Sequence, residues 1–520
     1  MKIMKKINLL FVIIIFLNQL PAFGQIEKNI FNANFKLSEK VKRKGTGVYT
    51  LGFDGKYNYT IGHKGFVFLL VPIGFKYVIN RFDPKTSDVI YQKVPMKTDM
   101  YKLGVYQQPI NIHLINKSLI QTGSLVNKQA GIRDIYLIEY STSTLRQTNK
   151  LKIGAFQEEG RTVNIASVFT DPNNDQEFFV IVESEQGRGK KGLPNTEKNK
   201  ASIFIIGDGL IPSFDVEVNI NGSSKETTLK DHIITDNYIA FTSRIKGAKK
   251  EPNQCEFYLI DRASKNITQF EISLNNTGKN ITDLKCLIDS EEKLYVSGFY
   301  NSNSKSNDVG GAFTQIYDTK SGQMLSEDIR PFGFELLAEK MSAKKKKKIE
   351  KNISEGKDYN DQYEYLVREV IKNNDGSSIL VAECYLHYTT MDMDSKGRTS
   401  VRDHYIHADL ITVRTNKEGQ IEWIQRFKKY NHSSNPMAGE MLFHNAEKYF
   451  YVIFQEKLKL KIAEISKKDG KAKSKEVFSL GQIGNFSPNL GSSYKSSETS
   501  YTSQFLRRRK AKLMTVSFKE

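Results

Sequence analysis

The sequence predicts an all-β fold made from one four-stranded unit repeated along the chain. Its main signal is an apolar strand that ends in an acidic or polar residue, followed by a tight turn and a second strand. This pattern runs Tyr77 to Asp83, then Val89 to Tyr91, and returns at Ile135 to Glu139, Phe257 to Asp261 and Thr314 to Asp318. It appears again at Leu410 to Thr415 and Lys461 to Ser466, with Gly322, Gly419 and Gly470 closing the last three turns. The end residues are regularly spaced. Asp83 to Glu139 is 56 residues, Glu139 to Asp261 is 122 with a copy between at Ala201 to Gly207, Asp261 to Asp318 is 57, and Thr415 to Ser466 is 51. The one long gap, 97 from Asp318 to Thr415, is one period plus an insertion. A fixed period of this size marks a stacked-unit fold.

Each period holds two earlier strands as well. In the fifth they are Leu284 to Ile288 and Leu294 to Phe299, and in the sixth Tyr365 to Ile371 and Ile379 to Cys384. The second strand is almost wholly apolar in Phe66 to Val71, Phe178 to Val182, Ile379 to Ala382 and Tyr449 to Phe454. Strands buried on both faces read this way. Four strands per unit, stacked face to face, describe a propeller blade. The expected architecture is therefore a single β-propeller over residues 45–520, after an N-terminal extension over 25–44. Eight blades are counted, with seven as the alternative. The last third strand, Lys512 to Phe518, lacks an outer partner, and Val48 to Phe53 is the segment expected to supply it, since an unpaired edge invites aggregation.

The sixth unit carries the fullest version of the pattern, with Asp375-Gly376 at a turn, the run Ile379 to Ala382, then Thr415 through Gly419 to Trp423. It resembles the blades of exported bacterial β-propeller repeat proteins of uncharacterised function. The resemblance covers most of the chain and implies architecture rather than activity. The third unit departs from it, with Gly207-Asp208-Gly209 where the acidic residue should stand.

The insertion near 333–357 reads as a short helix. Phe334, Leu337, Met341, Ile349 and Ile353 form an apolar stripe interrupted at Lys345. The run Lys344 to Lys348 reads as a solvated face, with a patch for an acidic polymer as the alternative.

The N-terminus reads as a cleavable secretory signal. Lys2, Lys5 and Lys6 precede the apolar run Leu9 to Leu17, and the small residues Ala22 and Gly24 place the cut before Gln25. A nine-residue run is far short of the ~20 apolar residues that span a bilayer. Gln25, not Cys, follows the cut, so no lipid anchor is indicated there. The mature chain is expected to be exported, to the periplasm or beyond, with no transmembrane segment. Its 496 residues (520 minus 24) would carry a net charge of +16, the +19 of the whole chain less three lysines. Such an excess bears on solubility and attraction to acidic partners. Three cysteines, Cys255, Cys286 and Cys384, are too few and odd in number for a disulfide framework, and they sit in apolar strands.

No chemical motif meets its structural requirements. Gly187 to Gly192 matches a dinucleotide-binding glycine pattern, but Pro194 and a polar loop follow where a helix must open. Asp392-Met393-Asp394 resembles the start of a calcium loop, with Asp403 at the twelfth position. Lys396 falls at a ligand position and the flanks read as strands, so a turn is the better reading. Asp392, Asp394 and Asp403 remain the candidate metal ligands. His404 and His407 are three apart on a strand and face opposite sides, so at most one can join His387; two histidines alone fall short of the three protein ligands of a catalytic zinc site, and these read as ordinary surface histidines. Glu183 and Glu383 each end an apolar second strand. They are candidate channel carboxylates for glycosidase chemistry, or else salt-bridged structural groups. No catalytic residue, no cofactor and no specific nucleic-acid partner is expected. The reading is a non-catalytic binding or scaffold propeller of the cell envelope with a protein or anionic polymer as partner; a glycan-acting enzyme using channel carboxylates is the alternative.

Sequencing the N-terminus of the exported protein is expected to return Gln25 as its first residue. Retention of Met1 would contradict the signal assignment.

Overall fold

A computed structural model describes residues 26–519 except 39–40, 43–45, 55–56, 69–70, 83–88, 94–111, 116, 128, 158–160, 171–176, 187–198, 222–226, 246–252, 275–276, 302–308, 334–335, 337–342, 355–363, 394–398, 435–438 and 508–509. The signal residues, Asp83, Asp394, the Gly187 to Gly192 loop and the stripe residues Phe334, Leu337 and Met341 lie outside the described residues.

The described strands form eight antiparallel sheets, the repeated unit of a β-propeller. Seven are built from four consecutive strands, in spatial order one to four. Every third strand expected from the sequence is a third strand here, from Val71–Phe82 in the first blade and Ile132–Ser141 in the second to Lys459–Ser466 in the seventh and Lys510–Phe518 in the eighth.

The chain divides into two compact units. The larger, residues 96–457 and 463–474, holds blades two to six and part of the seventh. Its core is a series of seams between successive sheets, and alternate residues of each second strand enter different seams. In Phe178–Gln186, Phe178, Val180 and Val182 pack with Ile135 and Leu137 of blade two. Phe179 and Ile181 of the same strand pack with Ile239 and Phe241 of blade four. In Ser378–Met393, Leu380, Ala382 and Cys384 join Phe299 of blade five, while Ile379 and Val381 join Phe450 and Val452 of Tyr449–Glu456. The all-apolar second strand is thus a consequence of burial on both faces. Cys255, Cys286 and Cys384 form no disulfide and are buried in these seams, and burial pushes the Cys255 thiol up to about 12.

The acidic residue that ends the third strand caps the turn. The Asp261 carboxylate accepts from the Ser264 amide at 2.7 Å, and that of Asp318 from the Ser321 amide at 2.7 Å. Four residues on, the chain enters the left-handed region at Lys265, Gly322 and Gly470. Glycine is required by contact at Gly470, where a Cβ would sit 2.8 Å from the Trp423 ring.

The smaller unit comprises residues 1–95, 458–462 and 475–520. It contains two departures from expectation. The second strand of blade one is Asn58–Phe68, not Phe66 to Val71. The apolar run straddles two strands, with Phe68 paired to Val71 and Pro72 placed at a register shift opposite Val67. A residue without an N–H is tolerated at such a bulge. The outer strand of the last blade is also not Val48 to Phe53, which lies in the first strand of blade one, Thr46–Phe53. That outer strand is Ala33–Leu37, paired antiparallel to Lys510–Phe518 from Ala33↔Phe518 to Leu37↔Met514. Ile26–Ile30 adds a fifth strand, so the N-terminal extension belongs to the last sheet. Ala33, Phe35 and Leu37 are buried, Lys36 is exposed, and Phe35 meets Phe478 edge-on at 6.4 Å.

In the insertion, a helix is described over Ala343–Ser354, and Phe334, Leu337 and Met341 of the predicted stripe lie outside the described residues. Lys344 and Lys347 are exposed on it. Leu336, just before it, packs against the seam of blades five and six.

Deleting residues 26–37 should remove the outer strands of the last blade and the buried Phe35 and Leu37. The expected result is a clear drop in melting temperature, since Phe→Ala alone in a core costs about 3–5 kcal/mol. Melting like that of the full chain would contradict the pairing.

Candidate functional site

Two features mark blade six: an ion pair, Lys429 with Glu383, whose side chains are both fully buried, and a central hairpin longer than those of the other blades. Both begin at Glu383, in the apolar second strand Ser378–Met393, where it is 0 % exposed. A buried carboxylate needs partners, and two bulges aim them at it. In the first strand, Glu364–Lys372, the register jumps between Val367 and Glu369 and leaves Arg368 as the extra residue. Arg368 donates to Glu383 Oε2 through Nε at 3.0 Å and also through Nη2. In the third strand, Thr399–Thr415, a second jump opposite Glu383 and Tyr385 brings in His407. Its Nδ1 lies 3.1 Å from Glu383 Oε2. Bulges re-aim side chains in this way. Lys429, whose side chain is also fully buried, donates its Nζ to Glu383 Oε1.

A second buried carboxylate extends the network. Asp409 accepts from Arg426 Nε at 2.7 Å and from the Lys429 amide at 3.2 Å. Arg426 also donates to the Leu336 carbonyl at 3.0 Å, which ties the start of the insertion to this cluster. Burial alone would raise the Glu383 pKa. Lys429, the His407 hydrogen bond and Arg368 outweigh it and hold the carboxyl at about 2. Burial pulls the Lys429 ammonium downward, against the pull of Glu383.

The network continues along the first strands of blades five and four. Lys285 donates to the Arg368 carbonyl at 3.1 Å. Asp283, beside a bulge of its own, accepts from Lys230 at 3.2 Å, Arg244 at 3.3 Å and the Val367 amide at 3.0 Å. Asp231 is pushed up to about 6 by burial, with Thr242 bonded to it at 3.0 Å.

This arrangement bears on the channel-carboxylate expectation for Glu383. Both its oxygens are engaged by cations, it stays ionised, and solvent does not reach it, so it cannot donate a proton as a general acid near neutral pH. His407 is oriented by Glu383 as a general base would be, and its Nε2 has no hydrogen-bond partner. The ring is nonetheless 2 % exposed and lies against the Gly439 backbone, where a Cβ would fall 1.9 Å from it. Glu183 is half-buried in blade three, in register with Asn164 and Ala201.

Beyond His407 the hairpin leaves the blade as a ribbon. His404 faces away from His407, as the spacing required. Its Nδ1 lies 3.1 Å from Nε2 of His432, a residue that sequence reasoning missed. His432 arrives on the short strand Asn431–Ser433, paired to Tyr405–His407 of the third strand. His404 Nε2 is 2.9 Å from Thr390 Oγ1, and its ring stacks on Tyr388 at 4.7 Å. His387 instead stacks on Tyr405 at 4.6 Å and reaches Asp403 at 3.3 Å. The candidate metal ligands are spread along the ribbon. Asp403 is opposite Thr389, whereas Asp392 is opposite Ser400 and pairs with Arg402 at 3.7 Å. No group of three His, Cys, Asp or Glu side chains placed to hold a metal occurs among the described residues.

No protein-family model matches the sequence, and no curated protein matches it. Three solved structures similar over most of their length are distant. The polysaccharide lyase Uly1 is 10% identical over 92% of this chain and 100% of that one, with a TM-score of 0.39. The WD40 domain of SCAP from fission yeast is 8% identical over 93% and 98%, at 0.39. The beta-propeller domain of the Trilobed protease from Pyrococcus furiosus is 11% identical over 83% and 96%, at 0.33. Similarity at this level assigns no activity.

The depressed pKa of Glu383 sets a sign. A carboxylate whose folded pKa lies below its unfolded value of ~4.3 contributes stability above that value and loses it as pH falls through about 2. Glu383→Gln also leaves Lys429 and Arg368 without their counter-charge. It should cost about 3–5 kcal/mol at pH 7. In urea unfolding, the gap between variant and parent should narrow as pH falls toward 2. A gap that does not change with pH would contradict the ionised network.

Proposed function

We propose that the protein is an exported, non-catalytic binding or scaffold propeller of the cell envelope, and that the blade-six ribbon is its binding element. Export rests on the order of Lys2, Lys5 and Lys6, Leu9 to Leu17, and Ala22 with Gly24. No helix among the described residues is long and apolar enough to cross a membrane.

The observation that carries the binding reading is the ribbon itself. Its two strands have 16 and 17 residues, against 8 and 8 for the corresponding pair in blade four. Within the blade they bury Ile379 to Cys384 and Ala408 to Val413. Past Tyr385 the burial ends but the pairing continues to Met393↔Thr399. Met391, Met393 and Val401 are exposed together on one face of the ribbon, Met391 at 75 % and Met393 at 74 %, and Leu386 and Tyr388 are exposed on the other face. An apolar patch on a paired ribbon outside any core marks an interaction site. Methionines at such a surface adapt to a partner's shape. The patch suits a protein partner, and the chain's positive charge favours an acidic one. The glycan-enzyme reading loses Glu383, which is closed and neutralised.

Placing a photo-crosslinking residue at Met391 tests this in cells. The expected result is one discrete adduct in the envelope fraction, absent when the probe stands at exposed Met324 of blade five. Changing Met393 and Val401 to Ser should abolish the adduct without altering the melting temperature. A cytoplasmic location would contradict the export half. Equal labelling from both positions would contradict the binding half. Retention on an anionic polysaccharide unaffected by the Ser changes, with no adduct at Met391, would point to the polymer instead.

A further inference from the structure

We propose that His404 and His432 form a binding site for a divalent transition-metal ion, with zinc the ion the geometry fits, on the exposed face of the blade-six ribbon. Imidazole suits such ions, whereas calcium and magnesium want oxygen ligands. The two ring nitrogens, Nδ1 of His404 and Nε2 of His432, are 3.1 Å apart. Tetrahedral zinc with Zn–N bonds of 2.0–2.1 Å holds two ligand nitrogens about 3.3 Å apart. A small opening of the pair, with a turn of the exposed His432 ring, therefore aims both lone pairs at one ion.

The surroundings of His404 already favour the state that a metal needs. A ligating histidine usually commits its other nitrogen to a hydrogen bond, which fixes tautomer and ring orientation. Here Nε2 of His404 faces Thr390 Oγ1 at 2.9 Å. With Nε2–H donating to that hydroxyl, Nδ1 keeps its lone pair toward His432. Tyr388 stacked on the ring at 4.7 Å, with 9° between the planes, limits its rotation. The second ligand is held by backbone pairing, because Ile406 is in register with His432. No third His, Cys, Asp or Glu completes the set among the described residues. Water fills the remaining positions, and an ion bound there keeps sites open to an acidic group of a partner. Bound metal would also fasten the strand Asn431–Ser433 to the ribbon.

Titration of the whole protein with zinc chloride in a calorimeter tests the site. The expected result is saturable binding of one ion per chain. His404→Gln or His432→Gln should weaken it at least tenfold, and Thr390→Val by about tenfold or more, the range typical of losing an orienting partner. His387→Gln, on the opposite face, should bind as the parent does. Binding should also fall in acid, because the ligands must be deprotonated. The melting temperature of each variant without metal controls for folding, and zinc should raise that of the parent and of His387→Gln only. No saturable binding up to millimolar zinc would overturn the proposal. So would binding that survives both the His404 and His432 changes, or binding lost on changing His387 alone.

Discussion

The last blade depends on a strand from the other end of the chain. A blade is a narrow sheet that must bury both faces and leave no long edge open. Seven sheets satisfy their own strand count from consecutive sequence, but Ser487–Ser497, Ser500–Arg507 and Lys510–Phe518 are one short. Ala33–Leu37 supplies the missing strand, with buried Ala33, Phe35 and Leu37 on one face and exposed Lys36 on the other. Burying side chains of this size is worth about 1.5–3 kcal/mol each. That gain must offset the entropy of bringing distant ends together, which grows only slowly with the length between them.

The repeat was legible because it is local. The turn after the third strand needs an acidic or hydroxyl cap and a left-handed residue four positions on, and Asp318 with Gly322 states both within five residues. The double burial of second strands was legible in Phe178 to Val182 and Ile379 to Ala382 for the same reason. The closing strand was not. Val48 to Phe53 and Ala33 to Leu37 both alternate, and the choice between them is made by pairing with residues more than 450 positions away. The run Phe66 to Val71 misled because the end of one strand, Asn58–Phe68, and the start of its partner, Val71–Phe82, look in one dimension like a single strand.

The charge cluster of blade six was half legible. A glutamate at the end of an all-apolar strand must be paired, and that much follows from Glu383 alone. Its partners come from the first strand, the third strand and the segment after the fourth, and two of the approaches depend on bulges that no residue pattern announces. His432 escaped notice for a similar reason, since its strand folds back on the ribbon only after the blade is complete. The buried ions appear to one side of His407 and the exposed apolar side chains to the other. A network satisfied on every carboxylate rigidifies the base of the hairpin, and a rigid base allows a long ribbon to project in a fixed direction. The ribbon then extends from the blade without a core of its own, as the proposed binding element would.

Hydrogen–deuterium exchange on the intact protein bears most directly on the strand from the other end of the chain. The backbone amides of Ala33 to Leu37 should be protected to a degree similar to those of Ser500 to Arg507, because both segments pair with Lys510–Phe518. Exchange of Ala33 to Leu37 within seconds, with Ser500 to Arg507 still protected, would show that the last blade is completed in some other way.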